Sequence, residues 1–223
     1  MAKCNHCYRR GTEVKLSACS RCKAAKYCSK ECQKADWASH KEQCNKTVEH
    51  AEALKSVFNP MNLIPLPDGL TLSQLDQRLE KWIKFHSPTL MGATIHALGL
   101  PRDLSRASTH VVRTQLAIRT DHGGSPAKFF RIREVEAIPI EEAKKLRDPW
   151  RESLEDFQKM REESEAMGRG TVAAMGVVCP PLGVQMVPFG SLTDLSLLPK
   201  VPQWKEVLIK DVENGKKYGR FGR

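Results

Sequence analysis

Eight side chains near the amino end have the types and spacing to hold metal. Cys4-x2-Cys7, Cys19-x2-Cys22, Cys28-x3-Cys32 and His40-x3-Cys44 offer seven thiols and one imidazole in four pairs. Two tetrahedral zinc ions need eight such donors. A C-x2-C pair turns two sulfurs toward one ion from a tight turn. An x3 spacing does the same on a helix, because i and i+4 share a face. The segment Ser29–Cys44 has good helix formers and neither Pro nor Gly. On a continuous helix Cys32 and His40 stand eight residues, or about 12 Å, apart. The donors of one zinc lie within about 4 Å of each other, so these two pairs serve different ions. Each ion then takes one of the C-x2-C pairs as well, and spacing leaves open which. Four protein ligands close each ion, so the predicted role is structural, two Zn²⁺ per chain, with folding of the segment coupled to binding.

The residues between the ligands add a resemblance. Tyr27-Cys28-Ser-Lys-Glu-Cys32-Gln33-x3-Trp37-x2-His40-x3-Cys44, preceded by the two C-x2-C pairs, closely resembles the MYND-type zinc finger over about residues 4–44. All eight ligand positions match. The resemblance implies interleaved ligation: Cys4, Cys7, Cys28 and Cys32 on one zinc, Cys19, Cys22, His40 and Cys44 on the other. It also implies a protein-interaction module that docks proline- and leucine-containing peptides in a shallow groove, with Gln33 and Trp37 as its peptide-binding residues. The chemistry is sensible: an indole face suits a proline ring, and an amide can bond an extended backbone. The competing reading is that Trp37 packs the finger's own small core. Leu63-Ile64-Pro65-Leu66-Pro67 and Pro180-Pro181-Leu182 faintly resemble such peptide ligands within the chain itself.

Composition bounds the rest. The chain has 223 residues, 40% hydrophobic and 28% charged, which suits a folded core beside a small finger. Its 36 Lys+Arg against 26 Asp+Glu give a formal +10, which points weakly toward nucleic acid. Residues 1–45 hold ten Lys/Arg and four Asp/Glu, a formal +6. Seven thiolates and two Zn²⁺ bring that down to about +3, which weakens the nucleic-acid reading further. Met1-Ala2-Lys3-Cys4 carries charge and no apolar run, so no secretory signal is expected. The cysteines are then metal ligands in a reducing, intracellular setting, cytoplasm or nucleus. The uncharged stretch from Gly170 to Thr193 is broken by three prolines and reads as a buried β-hairpin rather than a membrane span.

The predicted fold class is α+β: a finger ending in a helix (1–45), a helical and Pro-rich linker (46–70), an α+β domain with a mainly antiparallel sheet (71–200) and a basic tail (201–223). Thr71 with Gln74 fits a capping box before Leu72, Leu75, Leu79, Trp82 and Ile83 at helical spacing. Ser87-Pro88 is expected to restart a helix that stops at Gly99 and Pro101. Residues 111–120 and 128–140 alternate as half-buried strands around Asp121-His122-Gly123-Gly124. A further helix is expected from Asp148 (N-cap) and Pro149 (first helical residue), with Trp150, Leu154, Phe157 and Met160 as its stripe and Gly168 as its stop. Strands near 171–179 and 184–189 follow, then a short helix around Trp204, Val207, Leu208 and Val212.

No catalyst is predicted from the motifs, and the alternatives to an interaction module are a nucleic-acid-associated transcriptional regulator or an enzyme housed in residues 71–200. The Asn-His-Ser-Cys and acidic-Leu-Tyr runs that accompany this finger in SET methyltransferases are not seen in this sequence. Asp121-His122 has the wrong order for the His-x-Asp of an iron-dependent hydroxylase. His50, His86, His96, His110 and His122 read as surface or capping residues. Cys179, ending an apolar strand, reads as buried and inert.

Overall fold

The computed structural model describes residues 2–56, 60, 64–147 and 149–216, in two compact units, Met1–Ile64 and Pro65–Arg223. The expectations at Asp148, at residues 59 and 61–63, and at the tail residues 217–223 lie outside the described residues.

The first unit has little apolar material. Strands β1 (Ser17–Ala18) and β2 (Lys26–Tyr27) pair antiparallel. Helix α1 (Lys30–Ala35) is capped by Ser29, whose hydroxyl accepts from the Cys32 N–H. Helix α2 (Trp37–Lys55) follows, so the helix expected over 29–44 is two helices meeting at Asp36, and the second runs well past Cys44. Asp36 stays near helical angles (φ −82°, ψ −9°), while its carboxylate accepts a 2.7 Å bond from the Tyr27 hydroxyl. Cys4, Cys19, Ala25, Tyr27 and Cys44 make up the buried cluster. Three of these five are predicted ligands, so most of this core is the metal-binding machinery itself.

The second unit is built on a sheet. Helix α3 (Leu72–Ala97) begins with the expected capping box, Thr71 and Gln74 each bonding the other's backbone N–H. It does not restart at Pro88 but runs straight through it. Pro88 and Lys84 are both exposed, so the Lys84 carbonyl left without an N–H partner can turn to water. Gly99 (φ +67°) ends the helix as expected. Its N–H bonds the His96 carbonyl, and the Leu100 N–H bonds that of Ile95. A single turn, α4 (Arg106–Thr109), leads into β3 (His110–Ile118), which pairs antiparallel with β4 (Phe130–Pro139). Then α5 (Ile140–Ala143) and α6 (Trp150–Ala166) precede β5 (Thr171–Cys179) and β6 (Gly183–Leu192). Helix α7 (Trp204–Glu213) follows, where the apolar spacing placed it.

The strand order is β4-β3-β5-β6. The two outer pairings are antiparallel as expected, while the central β3–β5 pairing is parallel. The sheet is therefore mixed, because α5 and α6 carry the chain back before β5 is laid beside β3. Both faces are covered. Ala173, Met175, Val177 and Cys179 of β5 join Leu75, Trp82, Leu90, Leu208 and Val212 of α3 and α7. Val172 and Ala174 face Trp150, Leu154 and Phe157 of α6. Burial on both sides is why β5 reads as an unbroken apolar run instead of an alternating strand.

Two further expectations are corrected. Met160 is 46% exposed, and the fourth residue of the buried α6 stripe is Arg161, its guanidinium 5.9 Å from the centre of the Phe157 ring. Pro149 sits at the N-cap rather than inside the helix. Among the described residues no helix is long and apolar enough to cross a membrane.

Candidate metal centre

Local backbone rules shape each C-x2-C pair the same way. The Tyr8 N–H bonds back to the Cys4 carbonyl at 3.0 Å, and the Lys23 N–H to that of Cys19 at 3.0 Å. Tyr8 and Lys23, each just after the second cysteine, have left-handed φ values of +62° and +60°. That backbone is costly for a side-chain-bearing residue, and it turns both sulfurs to one side. The first turn is anchored to β2 through Asn5, whose N–H bonds the Lys26 carbonyl and whose side chain accepts the Lys26 N–H. This sets Cys7 beside Cys28. The second turn is closed by the Cys19 N–H on the Ala25 carbonyl and by the β1–β2 pairing.

Two clusters result. Cys4, Cys7, Cys28 and Cys32 form one, and Cys19, Cys22, His40 and Cys44 the other, with the donor atoms of each within 4.8 Å of one another. Cys28 Sγ lies 3.5 Å from both Cys7 Sγ and Cys32 Sγ. His40 Nε2 is 3.6 Å from Cys22 Sγ. Sulfurs at zinc–sulfur lengths of about 2.3 Å stand about 3.8 Å apart in an ideal tetrahedron. The donor sets, Cys4 and Cys3His, therefore fit two zinc ions. The open question of partners is answered by the interleaved arrangement that the resemblance implied. Cys28 precedes α1, so the first x3 pair straddles a helix start, while His40 and Cys44 sit on one face of α2.

The electrostatics agree with a cation at each centre. The Arg9 backbone N–H and its guanidinium lower the Cys7 thiol to about 6. The neighbouring Cys7 and Cys32 thiols push Cys28 up to about 12. Burial opposes ionisation of Cys19, yet the Cys22 N–H and His40 bring it down to about 6. Thiols this close split apart in acidity because they cannot all ionise unaided, and a divalent cation removes that conflict. Arg9 Nη2 also lies 3.7 Å from Cys28 Sγ. Neither Arg9 nor the Tyr27–Asp36 bond was singled out from sequence; an arginine two residues after Cys7 was the available signal for the first.

Beside the second cluster lies a groove of about 400 Å³ lined by Lys30, Gln33, Lys34 and Trp37. Trp37 is 38% exposed and touches His40 edge-on, with ring centres 6.1 Å apart. It thus packs against a ligand and presents indole surface as well. The Gln33 amide nitrogen is 3.7 Å from Cys19 Sγ, which leaves its carbonyl oxygen free for an incoming N–H.

No metal-binding group is gathered among the described residues outside the finger. Among the described residues, the two clusters above hold every set of three or more such side chains within ligating distance. Cys179 is buried, and burial pushes its thiol up to about 12. His86 is not a surface residue: it is fully buried and its Nε2–H donates to the Ala127 carbonyl at 2.8 Å. Leu66 and Leu182, from the two peptide-like stretches, pack against the second unit's main core.

A MYND finger family model matches residues 4–44. That match and the two donor clusters decide the matter. Residues 4–44 are a MYND zinc finger. Such fingers are in general protein-interaction modules. The human N-lysine methyltransferase SMYD2 is 47% identical over 71 residues, 32% of this chain and 15% of that protein. SET domain-containing protein 14 of Caenorhabditis elegans is 45% identical over 49 residues, 22% of this chain and 11% of that protein. The SMYD2 of Gallus gallus is 51% identical over 41 residues, 18% and 9% of the two chains. The chain thus spans no more than about 15% of the length of these relatives. No solved structure matches it.

Proposed function

We propose that this protein is an intracellular adaptor or regulator whose MYND finger docks proline- and leucine-containing peptides of partner proteins. The observation that carries the reading is the half-exposed indole of Trp37 in a groove that also contains Gln33. An aromatic face fits a prolyl ring, and the Gln33 carbonyl can accept from an extended backbone. The zinc ions supply the fold of that surface and, with four protein ligands each, no reaction centre. Seven thiols held for metal suit a reducing compartment.

The test is Trp37→Ala. The variant should keep two zinc ions per chain by elemental analysis and lose a proline-rich peptide by at least about tenfold, in the range of a lost aromatic anchor. Unchanged peptide affinity in a zinc-replete variant refutes the docking reading.

In this reading the protein binds and does not methylate lysine, although SMYD2 is named for that activity. The similarity is confined to a small share of SMYD2, and the SET runs noted above are not seen in this sequence. Purified protein given S-adenosylmethionine and lysine peptides should transfer no methyl group; transfer above a no-enzyme control contradicts this part of the proposal.

A further inference from the structure

The groove beside Trp37 has a basic wall for which apolar docking has no use. Lys30, Gln33, Lys34 and Trp37 fall at i, i+3, i+4 and i+7, and they line one groove although α1 and α2 meet between them. Both lysines are exposed, and among the described residues neither has a carboxylate within ion-pair distance. Glu31, the one acidic residue of α1, forms no ion pair with either lysine among the described residues; its own N–H and the Ser29 hydroxyl hold its carboxyl below the ordinary value, with Lys34 and Lys30 adding to the shift. Two ammonium groups thus border a half-exposed indole, offset only in part by the through-space field of the single Glu31 carboxylate.

We infer that the groove selects peptides in which a carboxylate flanks the proline- or leucine-bearing anchor. The inference rests on the docking reading and adds the charge of the partner to it. Spacing fixes roughly where the acid falls. Lys34 and Lys30 precede Trp37 by three and seven residues, about 4.5 and 10 Å along a helix. An extended peptide advances about 3.3 Å per residue. The Asp or Glu therefore lies about one to three residues from the residue seated on Trp37. A peptide suits this wall better than a nucleic-acid strand does. The groove has a single aromatic ring where a strand needs a series for stacking, and the thiolates remove much of the finger's positive charge.

The experiment uses the zinc-loaded full chain and labelled peptides sharing one Pro/Leu anchor, flanked by Glu, Gln or Lys, read by fluorescence anisotropy. At low salt the Glu peptide should bind about threefold tighter than the Gln peptide, the size of exposed ion pairs. The gap should narrow toward about 0.5 M salt, where the Debye length is about 4 Å. In K30E/K34E the order should reverse to Lys over Glu, each affinity being read relative to the Gln peptide on the same variant. K30Q/K34Q should remove the preference without reversing it, and K15E, the same charge change outside the groove, should leave it intact. Zinc content of two per chain qualifies each variant. Equal binding of Glu and Gln peptides, or a preference surviving K30E/K34E, overturns the inference alone. An oligothymidylate that displaces the Glu peptide and depends on the same lysines overturns it in favour of nucleic acid. Binding of the Gln peptide that is indifferent to Trp37→Ala removes the docking reading beneath it.

Discussion

Single side chains in this protein work under two different regimes of burial. In the finger, His40 is held between the rings of Tyr27 and Trp37 with its Nε2 on the second cluster. That packing orients the imidazole toward the cluster and joins the groove to the metal site. In the second unit, His86 is sealed among Trp82, Phe85 and the Ala127 carbonyl. Burial lowers its pKa below the ordinary value near 6.5, with the Ala127 bond and Asp211 opposing the shift. The unfolded chain therefore binds a proton that the folded one refuses as pH falls through 6.5. Stability from neutral His86 is present above that pH and is lost toward the folded pKa. The imidazole should titrate below 6.5 by NMR, and His86→Gln should flatten the fall in stability between pH 7 and 5. An imidazole titrating at or above 6.5 contradicts the burial account.

At the scale of elements, β5 and α6 meet through one missing side chain. A Cβ built on Gly176 comes 2.3 Å from Trp150 Cη2. The indole rests on the strand because the glycine leaves room, and Val172, Ala174, Leu154 and Phe157 surround it. Gly176→Ala should cost about 1–3 kcal/mol in urea unfolding, as overpacking does. The cost should shrink in a Trp150→Leu background, and equal costs in both backgrounds rule out the clash. Most elements were legible from local chemistry: the Thr71/Gln74 box, the Gly99 and Gly168 stops and the apolar spacing of α6 and α7 each depend on a few adjacent residues. Misplaced details depended on what lies across the chain. The exposed Lys84 carbonyl opposite Pro88 lets the helix continue, and Arg161 joins a buried stripe with its guanidinium between the Phe157 ring and the Glu165 carboxylate, 3.7 Å away.

For the whole molecule, the two units draw stability from different sources. The finger's buried cluster is mostly ligand cysteine, whereas the second unit closes two apolar cores on either side of its sheet. A zinc chelator should erase amide-exchange protection in residues 4–44 while leaving α3 and β5 protected. Protection that persists in the finger after the metal is stripped contradicts a zinc-dependent fold. The sequence by itself determined that eight donors serve two ions, since ligand type and spacing are local properties set by turn and helix geometry. It also determined the finger's family resemblance, the four strands of the main sheet and the longer helices, while β1, β2, α4 and α5 are not read from it. Only the tertiary structure decided that the Asn5–Lys26 bonds bring Cys7 to Cys28. The parallel β3–β5 pairing and the burial of His86 were likewise settled by contacts between residues far apart in the chain. So was the groove, because two lysines and a tryptophan become one wall only after Asp36 has joined α1 to α2. The reason is physical: turns and amphipathic faces are encoded within a few residues, whereas partner choice depends on which distant surfaces fill each other's space.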